Sequence, residues 1–157
     1  MDSIESLRKH LVNLLTKGEA HVDATSTLKD FPPQLRGRKP KGSPHTPWQV
    51  LEHMRLAQWD ILRFSVDPKH VSPKWPEGYW PKTDAPSSDK AWKENVQKFL
   101  ADLDAMCDLV RDTKRDLFAP IRHGDGQTLL REALLVADHN SYHLGQLVLV
   151  RKTLEGE

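Results

Sequence analysis

The chain has 157 residues, of which 38% are hydrophobic and 29% charged, and a formal net charge of +1. That length suffices for one core-forming domain, expected to span 1–157. The near-balance of charge argues against a nucleic-acid partner, since such binders carry a strong basic field. No stretch approaches the ~20 apolar residues of a membrane span. The start, Met1-Asp2-Ser3-Ile4-Glu5, lacks a basic region followed by an apolar run, so no secretory signal is expected. A single cysteine, Cys107, cannot close an internal disulfide, and a reducing cytoplasm is the natural setting. The one dense basic cluster, Arg36-Gly37-Arg38-Lys39-Pro40-Lys41, reads as a solvated loop.

In chain order, the first helix is expected from about Asp2 to Lys17, with room to resume through Leu28. Ile4, Leu7, Leu11, Leu14 and Leu15 recur there at three- and four-residue steps. Phe31-Pro32-Pro33 ends that region. The second helix has the clearest start: Thr46 as cap, Pro47 at the first helical position and Gln49 completing a Thr-x-x-Gln capping box. It should run to about Ser65, before Pro68. A third helix, from Ser88 or Asp89, carries Trp92, Val96, Phe99, Leu100, Leu103, Met106, Cys107 and Val110 at bundle spacing. Cys107 lies on that seam and reads as a small core residue. The fourth runs from Thr128 to about Leu154, with Gly156 just beyond, and is apolar on more than one side, as for a helix in mid-core. Four such helices predict an all-α four-helix bundle.

The connection 66–88 is long and holds five prolines together with Trp75, Tyr79 and Trp80. Loops of this length are usually functional or disordered, and the aromatics favour order. It is long enough for a crossover between helices that are not simple antiparallel neighbours.

The chemistry concentrates in histidine. Asp138-His139-Asn140-Ser141-Tyr142-His143 puts two imidazoles four residues apart, about 40° apart on one helix face. Glu132, Leu135, Val136, Gln146, Leu147 and Val150 share that side, so the rings face a largely apolar region. Either each ring is satisfied by a hydrogen bond or the two share an ion. His53, with Val50, Leu56, Ala57 and Phe64 near its face, also points inward. Three neutral imidazoles from two helices can converge on one ion and leave positions open for water or substrate. Helix positions alone do not settle whether their depths match.

Two segments, Thr46-Pro47-Trp48-Gln49-Val50-Leu51-Glu52-His53 and Asp138-His139-Asn140-Ser141-Tyr142-His143-Leu144-Gly145-Gln146-Leu147, resemble the DinB/YfiT-like superfamily of metalloenzymes. The resemblance implies that His53, His139 and His143 ligate one divalent metal ion (zinc, nickel or iron) in a bundle with a crossover between its second and third helices. It also implies a homodimer. Characterised relatives transfer low-molecular-weight thiols or isomerise maleylpyruvate in a thiol-dependent way. The expected function is therefore metal-dependent chemistry on a small molecule, possible substrates including such a thiol, by S-transfer or hydrolysis. The alternative is a non-catalytic stress-response or interaction module in which metal clips two helices together.

His21 and His123 are weaker catalytic candidates, His21 near the end of the first helical region and His123 in the loop before the last helix. His123 is also a candidate fourth ligand. Asp60 and Glu132, seven residues from His53 and His139 on the same faces, are candidate hydrogen-bond partners behind the ligands. Trp48, Trp59 and Trp92 read as packing residues, while Tyr142, about 80° from the midpoint direction of the histidine pair, reads as easily as core.

Overall fold

The computed structural model describes residues 2–156. Asp2 caps α1 (Ser3–Thr16) by accepting from the Ile4 amide. The helix stops before Gly18, whose φ of +62° is left-handed and whose missing side chain would meet the His21 carbonyl oxygen at 2.5 Å. A new cap, Asp23, then starts the short α2 (Ala24–Leu28), so the expected resumption occurs as a separate helix. Leu11 and Leu15 of the predicted stripe are buried, but Ile4 and Leu14 stay exposed because α1 packs chiefly on α4 and α5.

Helix α3 (Pro47–Val66) begins with the predicted capping box, both of whose hydrogen bonds form. The Thr46 hydroxyl also donates to the Asp84 carbonyl at 2.7 Å, tying the helix start to the end of the long connection. Helix α4 (Asp89–Arg111) is capped by Ser88, and α5 (Leu129–Gly156) runs through the last described residue. Gly156 thus sits inside the final turn and not beyond it. Between α4 and α5 the loop is pinned by an isolated bridge pairing Pro120 with Thr128. Among the described residues no helix is long and apolar enough to cross a membrane.

Contacts between named residues fix the helix directions. The ring of Trp48, at the start of α3, lies 6.5 Å from that of Trp92, at the start of α4. At mid-helix, Gln58 donates to the Phe99 carbonyl at 2.7 Å. Starts meet starts and middles meet middles, so α3 and α4 run parallel and residues 67–88 must return the full length of the bundle. A 20-residue helix is about 30 Å long, which explains why this connection is long. Helix α5 runs antiparallel to α3, with Val50, Leu51 and Met54 sharing a cluster with Leu144, Leu147 and Val150. Helix α1 is antiparallel to α4: Arg8 near its start donates to the Val110, Asp112 and Arg115 carbonyls at the end of α4. The bundle is all-α with the expected crossover. Cys107 is fully buried, as a core residue, and burial pushes its thiol up to about 11.

The core divides into two apolar clusters. One joins α2, Phe31 and Leu35 to the first half of α3, the first half of α4 and the last half of α5. The other joins α1 to the second half of α4 and the first half of α5. Gln58 and Asn140, hydrogen-bonded to each other at 2.7 Å, are both buried among these helices.

Because Thr46 holds both the helix cap and the Asp84 tie, Thr46→Ala is expected to lower the unfolding free energy by about 1–2 kcal/mol. Urea denaturation measures this. A midpoint equal to that of the unaltered chain would show the cap to be dispensable.

Candidate metal centre

His53 stands in the second turn of α3, and His139 and His143 stand one turn apart on α5. Antiparallel packing brings the three to one depth, the point that helix positions left undecided. One ring nitrogen of each lies within 4.8 Å of the others. Ring centroids are 5.0 Å apart for His53 and His139, 4.6 Å for His53 and His143, and 4.5 Å for His139 and His143. His53 and His143 are buried and His139 is half-buried.

Two of the rings have a fixed tautomer. His53 Nδ1–H donates to the Tyr79 carbonyl at 2.9 Å, and His143 Nδ1–H donates to Gln146 Oε1 at 2.7 Å. Each therefore turns an unprotonated Nε2 away from its anchor. His53 Nε2 lies 3.1 Å from His139 Nε2, while His139 Nδ1 is buried without any hydrogen-bond partner. If His139 carries its proton on Nε2, a buried Nδ1 lone pair is left unpaired. If the proton sits on Nδ1, an N–H is unpaired and two lone pairs oppose each other. Both tautomers are costly in a buried site. A shared cation removes the lone-pair opposition, and an all-imidazole donor set suits zinc, nickel, iron or copper. The residues fit a divalent metal.

Burial sets the protonation state. Desolvation pushes His53 and His139 down to about 4, reinforced by the neighbouring histidines and partly offset at His53 by the Tyr79 carbonyl. His143 is lowered too, chiefly by burial. The rings are neutral at pH 7, the form in which imidazole donates to a metal.

The long connection supplies parts of the site that the helices do not. Trp80 stacks on His53 with centroids 3.9 Å apart and planes 3° from parallel, and on His45 at 3.9 Å and 16°. Two near-parallel rings that close leave room only on opposite faces, so the indole is sandwiched. Tyr79 is buried, and its hydroxyl donates to Asp60 at 2.7 Å; Asp60 also bonds His70 at 2.6 Å. Asp60 thus acts behind His53, through Tyr79 and not by direct contact. Trp75 contributes less to the order of this connection: its ring lies 5.4 Å from Tyr79, but the residue is 69% exposed.

Other expectations change. His21 is exposed and bonded to the Val22 carbonyl, in a small crevice on the α1 side of Asn140 and Ser141. His123 is exposed and donates to the Phe64 carbonyl at 2.6 Å. The structure brings neither into the triad, because each ring is already engaged by backbone elsewhere. Glu132 is buried but bonds Arg131, not a triad histidine. Tyr142 is 65% exposed, its edge against His143. Trp92 is buried, and Trp48 and Trp59 are half-buried, as packing residues. The sequence reading marked Trp80 as an aromatic ordering 66–88 without placing it on His53, and nothing singled out His45.

The sequence model of the DinB superfamily matches residues 18–147. The chain belongs to the DinB superfamily. No curated protein and no solved structure matches it. The match spans α2 to most of α5 and so contains all three histidines of the triad, and this superfamily is metal-associated.

The depressed pKa values carry a stability consequence in the metal-free protein. As pH falls from 6.5 towards 4, the unfolded chain takes up protons that folded His53 and His139 refuse. Stability from these groups is complete above pH 6.5 and is lost through that window. Thermal melts of metal-free protein are expected to show Tm falling across it, with a shallower fall in His139→Leu. A flat Tm would show that the rings are not buried neutral.

Proposed function

We propose that this member of the DinB superfamily is a divalent-metal-dependent enzyme acting on a small molecule, with His53, His139 and His143 as the ligands. The observation that carries the reading is one shared space for three neutral imidazoles, two of them held by Nδ1–H donation so that Nε2 is left unprotonated. A divalent ion there supplies Lewis acidity to a substrate oxygen or sulfur. Among the described residues no carboxylate joins the histidine group, so no ligand charge there reduces that acidity.

The chain's own residues do the rest. Tyr79 and Gln146 fix the orientation of His53 and His143. Trp80 covers one face of His53 and keeps water from it. Transfer of a low-molecular-weight thiol is the favoured reaction and hydrolysis the second, with zinc, nickel or iron as the ion. A purely structural clip is the competing reading; a cleft bordered by Gln146, the partner of His143, supports the catalytic one.

His53→Ala, His139→Ala and His143→Ala are each expected to reduce bound metal at least tenfold, measured by elemental analysis of protein purified without a metal-affinity tag. Retention at full stoichiometry in all three would refute the ligand assignment. In a cobalt-substituted form, a small thiol is expected to change the visible spectrum. An unchanged spectrum would favour the clip.

A further inference from the structure

A cleft of about 330 Å³ lies between the loop around 40–45 and the last half of α5, with Lys41, His45, Val50, Gln146, Leu149 and Val150 among its walls. It is continuous with the supports of the triad. His45 is held against Trp80, whose other face covers His53. Gln146 spends its Oε1 on His143, which leaves the Nε2 amide hydrogens as donors at the cleft.

The walls are chemically one-sided. Val50, Leu149 and Val150 offer an apolar strip, and Leu149 is 66% exposed. Among the described residues, Lys41 is the charged side chain lining the cleft, no carboxylate lines it, and Lys41 makes no ion pair. The basic run that contains it is not uniform. Arg36 is turned inward, donating to the Phe31 carbonyl and to Asp89. Lys39 acts on His45, which burial first and this lysine second hold below the usual histidine range. Lys41 and the nearby Lys39 therefore set a positive potential at the cleft with no carboxylate of the described residues lining it, beside an apolar strip and the Gln146 amide.

We infer that this cleft binds a small carboxylic acid as its anion, the carboxylate at Lys41 and an apolar body along Val50, Leu149 and Val150. The inference names a substrate class for the metal-dependent reading and rests on that reading for its catalytic meaning, but binding itself requires no metal. The apolar strip supplies contact area, and the lysine supplies selection by charge.

Titration calorimetry with hexanoate, hexan-1-ol and hexylamine, on metal-loaded and chelator-stripped protein, tests it. Hexanoate is expected to bind at least tenfold more tightly than the alcohol or the amine in both forms, and to weaken as salt is raised. Lys41→Glu is expected to cost at least tenfold in hexanoate affinity, with metal content and helical circular dichroism unchanged. Leu149→Asp, also at an exposed position, should do the same. Equal binding of hexanoate and hexan-1-ol would overturn the inference, as would an unaffected Lys41→Glu variant. Hexanoate binding that vanishes on stripping would overturn it too, since the anion would then depend on the metal. Metal content measured alongside keeps the readings apart. Wild type that takes up no divalent metal by elemental analysis yet still selects hexanoate removes the metal reading and leaves the cleft, whereas full metal without carboxylate preference removes the cleft alone.

Discussion

Three imidazoles share one buried space, and burial permits them no charge. Most of the architecture around the centre answers that constraint. A neutral ring has one N–H to place and one lone pair to direct, so each histidine needs an acceptor on its outer side. Tyr79 provides it for His53 as a backbone carbonyl, and Gln146 for His143 as a side-chain amide. His139 has none at Nδ1, and it is the ring whose Nε2 faces His53 at 3.1 Å. The arrangement is stable as separate neutral rings only at the cost of an unsatisfied nitrogen.

The same constraint explains why the long connection is ordered. Its 3-10 turn, Glu77–Tyr79, places the Tyr79 carbonyl at His53 and the Tyr79 hydroxyl at Asp60 on the same helix. The loop is thereby fastened to α3 at two points, with Trp80 lying flat on the ring between α3 and α5. A crossover would be needed in any case to return the chain for a parallel α4. Here the returning strap also supplies one wall of the centre.

Charge is distributed in a complementary way. The centre is made of neutral donors, whereas the adjacent cleft carries Lys41 and lies near Lys39. His45 joins them physically, stacked on Trp80 at one side and lining the cleft at the other. A neutral pocket keeps a bound cation acidic, and a basic rim draws anions towards it. Neither property requires the other, which is why they can be probed separately.

Helix chemistry is local, and the sequence determined it. The Thr46-Pro47-x-Gln49 box fixed where α3 begins, because both capping bonds lie within four residues. The 3.6-residue period put His139 and His143 on one face and turned His53 inward, and the resemblance carried by those segments pointed to the superfamily that the match over 18–147 establishes. Only the tertiary structure decided that the three rings meet at one depth, because that depends on how α3 slides along α5. It also decided that Tyr79 contributes a carbonyl, which every residue possesses and no sequence pattern marks. The sequence offered His21 and His123 as candidates and did not mark His45. Backbone partners engage the first two elsewhere, while a ring from a loop more than thirty residues away holds His45 against the centre. Periodicity encodes which way a side chain faces along its own helix; what it meets there is set by packing between segments distant in the chain.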